Sequence, residues 1–190
     1  AEWARTPGAV GARIVLWNDH VIDAHAAGLA RILEAGAAHD LPINILAWDK
    51  LDLFAALARA HPDTQLVLDH LGLRQNFEAP PPAQPFAALD EVLALARFDN
   101  VVIKVTGAGT LSHQGYPFAD IHAPLARIFD AYGFGRCLWG TDWTRATAFL
   151  DYAEGVELFR TDLKLTDSER AALMGGTLTR VYRWAPHVSN

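Results

Sequence analysis

The chain has a single cysteine, Cys137, so no disulfide can form within it. A lone cysteine in an apolar strand pattern reads as a small buried hydrophobe, and it suits a reducing cytoplasm. Basic residues are in the minority: 16 Lys and Arg stand against 22 Asp and Glu, for a net charge of −6. With no basic field to gather phosphate, nucleic acid and anionic membrane are poor partners. No uninterrupted apolar run approaches the roughly 20 residues of a membrane span. No signal peptide is visible and no internal repeat is apparent. No Gly-x-Gly-x-x-Gly follows any apolar run, so a dinucleotide-binding open sheet has no support. The only methionine is Met174 and the chain opens Ala-Glu-Trp, which leaves open whether Ala1 begins the gene product.

What is present is ordinary globular material: 51% hydrophobic and 20% charged residues in a chain of 190, enough for one domain (1–190) with a sizeable core. Short, nearly continuous apolar runs recur at Ala12–Trp17, Ile43–Trp48, Gln65–His70, Asn100–Thr106 and Arg136–Asp142. Continuity rather than alternation marks strands covered on both faces, as in parallel sheets. Helical patterns fall between them: Ile22–His39, Leu51–Ala60, the series Phe86, Leu89, Val92, Leu93, Ala96, and the series Ile121, Leu125, Ile128, Phe129, Tyr132 behind an Asp120 N-cap. Thr166 with Glu169 forms a capping box that opens a last helix through Tyr182. Strand then helix, repeated, means right-handed βαβ units, in either a doubly wound sheet or a barrel. The proline-rich stretch Arg74–Pro85 reads as a long loop that either covers a site or is a plain surface excursion, and the stretch Gly107–Pro117 reads as a second loop after the fourth run.

Strands covered on both faces should carry little charge, yet three of these end in polar groups: Asp69 with His70, Lys104 with Thr106, and Asp142. A buried charge needs a partner or a metal, and C-terminal strand ends carry function in α/β folds. If alternation holds through His70, that imidazole points inward with Leu66 and Leu68, while Asp69 faces the helices as a structural acceptor. Lys104 reads equally as a substrate-binding cation or as the partner of a nearby carboxylate.

Three stretches carry a resemblance: Val67-Leu68-Asp69-His70-Leu71-Gly72, Asn100 through Gly107 (NVVIKVTG), and Tyr132 through Trp143 (YGFGRCLWGTDW). Together with the entry Gly8–Arg13 and the tail Leu165–Tyr182, their order and spacing resemble the amidohydrolase 2 family, the branch with dicarboxylate lactonases of the 2-pyrone type and related decarboxylases. The resemblance implies an α/β (β/α)₈ TIM barrel, here incomplete, with about five C-terminal βα units corresponding to strands 4–8. It implies that His70 ends the sixth strand of the whole barrel and Asp142 the eighth. A first-strand His-x-His pair would complete the metal site in metal-using members, but this sequence contains none. His20 and His25 come nearest and are better read as surface residues. Five units in 190 residues, against about 250 for a whole barrel, suggest a piece of a longer protein, expected to be inactive by itself.

The resemblance further implies a divalent metal, zinc or manganese, with His70 and Asp142 among its ligands, or a metal-free route in which Asp142 alone activates water. In either case Asp142 would be the general base, with His70 beside it, for attack on an ester, lactone or amide carbonyl. Lys104, Arg13 and the more exposed Arg145 are candidates to bind a small, carboxylate-bearing substrate, and Tyr116 and Trp143 to line its pocket. Two readings stand beside this one: a decarboxylase of the same family, and a non-catalytic remnant or module whose barrel is completed by a partner chain. A homo-oligomer is compatible with all of them.

Overall fold

A computed structural model describes residues 2–16 and 26–184. Five parallel strands form one sheet in the order β1-β2-β3-β4-β5. They are β1 (Ala12–Val15), β2 (Ile43–Leu46), β3 (Leu66–Leu68), β4 (Val101–Thr106) and β5 (Cys137–Gly140). Each strand pairs with the next in sequence. A doubly wound sheet reverses its strand order part-way, whereas a barrel adds each strand beside the last. The sheet is therefore an arc of a (β/α)₈ barrel, five units long.

The helices are α1 (Ala27–Ala38), α2 (Leu51–Ala60), α3 (Leu89–Ala94), α4 (His122–Tyr132), α5 (Trp143–Ala146), α6 (Tyr152–Glu157), α7 (Asp167–Ala171) and α8 (Thr177–Tyr182). The last helical pattern is interrupted: α7 and α8 are joined through a π-helical turn, Ala172–Gly176. The Thr166–Glu169 capping box forms as the sequence suggests. The Asp120 N-cap does not. A short 3₁₀ turn, Ala119–Ile121, precedes α4, and Asp120 instead accepts the Ser112 hydroxyl and the His113 backbone N–H. Its carboxylate satisfies a loop rather than a helix end. Residues 17–25, with His20, His25 and the start of the first helical pattern, lie outside the described residues.

The alternation of side chains sorts the core into two layers. On the outer face Ile43, Ile45, Leu66, Leu68, Val101, Ile103 and Val105 join Leu33, Phe54, Leu57, Val92, Leu125 and Ile128 of the helices in one buried cluster. Each such side chain contributes about 1.5–3 kcal/mol when fully withdrawn from water. On the inner face Val67, Val102 and Leu138 meet Val181, with Leu178 and Tyr182 packed against them, so α8 lies across the concave side. Register places Arg13, Asn44, Val67 and Val102 side by side in that inner layer. Lys104, two residues beyond Val102, is in the next inner layer, opposite Leu138.

This layering overturns one expectation. Leu66 and Leu68 face the helices, so Asp69 continues the inner set with Val67. The alternation argument failed because β3 ends at Leu68. The backbone then reverses through His70 (φ 50°), Leu71 (φ 60°) and Gly72 (φ 66°), all left-handed. A strand-based extrapolation cannot carry past such a turn.

Candidate active site

Two polar residues follow inner-facing or site-facing strand ends in backbone conformations that L-residues rarely adopt. His70 has φ 50° and Asp142 φ 51°. Such a non-glycine residue costs on the order of 1–3 kcal/mol and persists where the surroundings over-determine it. The result is convergence: His70 Nδ1 lies 3.5 Å from Asp142 Oδ2, with both side chains mostly buried. His70 Nδ1 is also 2.8 Å from Thr106 Oγ1. On the other side of the ring, Arg13 Nη2 lies 3.3 Å from Nε2. A guanidinium can only donate, so Nε2 is the acceptor and the neutral ring carries its proton on Nδ1, directed at Thr106 and Asp142. Burial holds the His70 pKa below its ordinary value, with Arg13 and Arg145 adding to that direction and Asp142 and Asp69 opposing it. At neutral pH the imidazole is uncharged. Trp48 packs beside it, ring centroids 6.1 Å apart, and Phe77 meets Trp48 edge-on at 6.5 Å.

Beneath this pair is a cationic cluster organised by Asp69, which is 1% exposed. Arg13 Nε donates to Asp69 Oδ2 at 2.7 Å. Lys104 Nζ stands 3.1 Å from Oδ1, close enough for an ion pair though too poorly aligned for a hydrogen bond. One carboxylate thus serves two cations, leaving one positive charge in excess. Arg13 and Lys104 line an inner-face cavity of about 740 Å³ with Asn44, Leu178, Tyr182 and Trp184. Neither His70 nor Asp142 lines that cavity; Arg13 links the two regions by touching both Asp69 and His70.

Two candidate substrate contacts are placed differently from what the sequence suggests. Arg145 is not an exposed cation: it is 7% exposed. Its guanidinium is taken up by Asp142 Oδ2 (2.6 Å), the Asn76 carbonyl (3.0 Å), Thr110 Oγ1 (2.9 Å) and Gln75 Oε1. Those acceptors take up four of its five N–H groups. Tyr116 is 41% exposed, but its ring meets Phe118 and the nearby Asp162 carboxylate holds its hydroxyl pKa above the ordinary value. It faces the segment after α6 rather than His70 and Asp142. Trp143 is partly exposed next to Asp142 and meets Tyr152 edge-on. Cys137 is buried, its thiol pKa pushed up to about 12 by desolvation, as an inert core residue should be.

Sequence reasoning missed Gln75. Its side chain is 1% exposed and its Nε2 donates to the carbonyls of His70 (3.2 Å) and Thr106 (3.1 Å). A glutamine early in a proline-rich loop carries no pattern that would single it out.

The family model for amidohydrolases matches residues 1–184. The chain belongs to the amidohydrolase family. It is 32% identical over 130 residues to the 4-sulfomuconolactone hydrolase of Rhizobium radiobacter, covering 68% of this chain and 36% of that protein. It is 31% identical over 162 residues to the L-fucono-1,5-lactonase of Burkholderia multivorans, covering 76% of this chain and 52% of that one. Among solved structures, an amidohydrolase from Burkholderia multivorans with bound zinc superposes with a TM-score of 0.71 at 27% identity, over 85% of this chain and 59% of the other. A Pseudomonas putida protein provisionally named a 2-pyrone-4,6-dicarboxylic acid hydrolase gives a TM-score of 0.69 at 25% identity, over 93% and 64%. This amidohydrolase chain thus spans about a third to a half of the length of the lactone hydrolases it matches.

The zinc in that relative raises the question of whether these residues fit a metal. A zinc site takes three or four protein ligands. Among the described residues no group of three or more His, Cys, Asp or Glu side chains is placed to hold a metal. His70 and Asp142 supply two donors: His70 Nε2 faces Arg13 and Asp142 Oδ2 faces Arg145, which leaves Asp142 Oδ1. Two guanidinium groups this close disfavour a further cation. The described residues of this amidohydrolase chain thus offer at most the His70 and Asp142 donors and do not by themselves make up a zinc or manganese site. Among them, too, no helix is long and apolar enough to cross a membrane.

Proposed function

We propose that this chain carries the water-activating machinery of a lactone hydrolase acting on a small, carboxylate-bearing substrate. The observation that carries the reading is the 3.5 Å approach of His70 to Asp142 at the strand ends. Asp142 acts as the general base. It accepts a proton from water as the water oxygen bonds to the lactone carbonyl carbon, and the ring C–O bond then breaks. The proton passes to the leaving oxygen, giving a hydroxy acid from lactone and water. The neutral His70 ring, its Nδ1–H directed at Thr106 and Asp142, keeps a polar but uncharged wall beside the base. The unbalanced positive charge around Arg13, Lys104 and Asp69 suits a substrate carboxylate. The reading needs no ion beyond the groups named, because the carboxylate itself takes the proton.

The lactone hydrolases among the relatives support this choice of reaction, and the excess of cations supports an anionic substrate over a neutral one. The test is a panel of lactones, carboxylated and neutral, offered to the 190-residue chain and to the longest natural protein containing it. Acid release is followed at constant pH. Faster turnover of carboxylated lactones supports the reading. Release of carbon dioxide without ring opening would instead assign a decarboxylase, and turnover of neither kind would overturn the proposal.

A further inference from the structure

The buried guanidinium of Arg145 is unusual in what it connects. Its acceptors come from three separate loops: Gln75 and Asn76 after β3, Thr110 after β4, and Asp142 after β5. Gln75 in turn holds the carbonyls of His70 and Thr106, so one side chain ties the turn bearing His70 to the turn bearing Asp142. Space for this is made by Gly107, at φ 65°. A Cβ there would collide with Arg145 Nη2 and come within 2.7 Å of Gln75 Oε1 and 3.3 Å of Asp142 Oδ2. Any residue but glycine would force the Nη2 end of Arg145 to shift and would strain the backbone.

Arg145 engages one oxygen of Asp142 and not the other. Oδ2 receives Nε at 2.6 Å and faces His70 Nδ1. Among the described residues no side chain or backbone donor bonds Oδ1. We propose that Arg145 is the positioning residue for Asp142: it pins Oδ2, fixes the carboxylate plane, and thereby makes Oδ1 the oxygen that takes the proton from water. Gln75 and Gly107 are the parts of the scaffold that hold Arg145 in place. The inference rests on the reading of Asp142 as the base. It adds which oxygen reacts and what aims it.

Two measurements on the unsubstituted protein and Arg145→Met test it. The first is a pair of crystal structures, which needs no activity. The carboxylate of Asp142 is expected to rotate away in Arg145→Met; an unchanged Asp142 orientation would overturn the proposal. The second is kinetic, in whichever form of the protein opens a lactone. Arg145→Met is expected to lower kcat by ~10²-fold with little change in KM, the penalty of misaiming a reacting group. Arg145→Ala supplied with free guanidinium ion should regain part of that loss, which a purely structural residue would not show. A wild-type kcat in Arg145→Met would contradict the proposal. If the Met variant does not fold, Arg145→Lys carries the same comparison. An ammonium offers no planar fork, so an intermediate kcat is expected, and full wild-type kcat would count against the proposal. If the unsubstituted protein opens no lactone, the hydrolase reading fails, and the crystallographic pair alone decides whether Arg145 positions Asp142.

Discussion

The imidazole of His70 and the carboxylate of Asp142 stand 3.5 Å apart, Nδ1 to Oδ2, although they follow different, non-adjacent strands of the sheet. Both residues lie in left-handed backbone conformations at the ends of those strands. β4 lies between β3 and β5, and its last residue, Thr106, bridges the gap by bonding His70. The pair is therefore a product of barrel geometry, which brings successive strand ends to one mouth.

The neutral state of His70 has a measurable consequence. Burial lowers its pKa from the ordinary 6.5. Below that value the unfolded chain binds a proton that the folded chain resists. The stability this residue supports is complete above pH 6.5 and declines as pH falls through its lower folded value. Urea unfolding between pH 7.5 and 5 should show a steeper fall for the wild type than for His70→Gln. Identical pH slopes would mean that the imidazole is not held neutral.

Asp69 is expected to matter for stability out of proportion to its single charge. Removing it leaves Arg13 and Lys104 facing one another without their shared anion. Asp69→Asn should cost about 1–3 kcal/mol, the penalty for stranding buried polar groups, somewhat relieved by the partial exposure of Arg13. Adding Lys104→Met to Asp69→Asn should recover part of the loss. Additive effects in the double variant would show that the two groups do not interact.

Gly107→Ala places a Cβ where φ is positive and where Arg145 already sits. The backbone strain alone is worth on the order of 1–3 kcal/mol, and displacement of the guanidinium adds to it. Chemical denaturation of the two proteins measures the difference. A change below about 0.5 kcal/mol, the ordinary range for a surface substitution, would mean that the loop after β4 accommodates the methyl group.

Much of this was legible before any coordinates. The continuous apolar runs gave the strands because both faces are covered, and β-branched Val101, Val102, Ile103 and Val105 sit where a buried parallel strand needs them. The convergence of His70 with Asp142 followed from their places at strand ends. What the sequence hid was local. Nothing in Asp69-His70-Leu71-Gly72 announces that the strand stops at Leu68, so the face assigned to Asp69 was inverted. Arg145, one helical turn past Asp142, looked like an exposed cation because its partners, Gln75, Asn76 and Thr110, lie in loops far away in sequence. Long-range side-chain pairing leaves no periodic trace.

The most direct test of the hydrolase reading is lactone turnover by Asp142→Asn compared with the unsubstituted protein, with the amide keeping the shape of the carboxylate. If Asp142 takes the proton from water, kcat/KM should fall by ~10²–10⁴-fold, the range for loss of a general base, when assayed below the melting temperature of the variant, which drops because the buried Arg145 guanidinium loses its anionic partner. An Asp142→Asn protein that opens the ring at the wild-type rate would contradict the account.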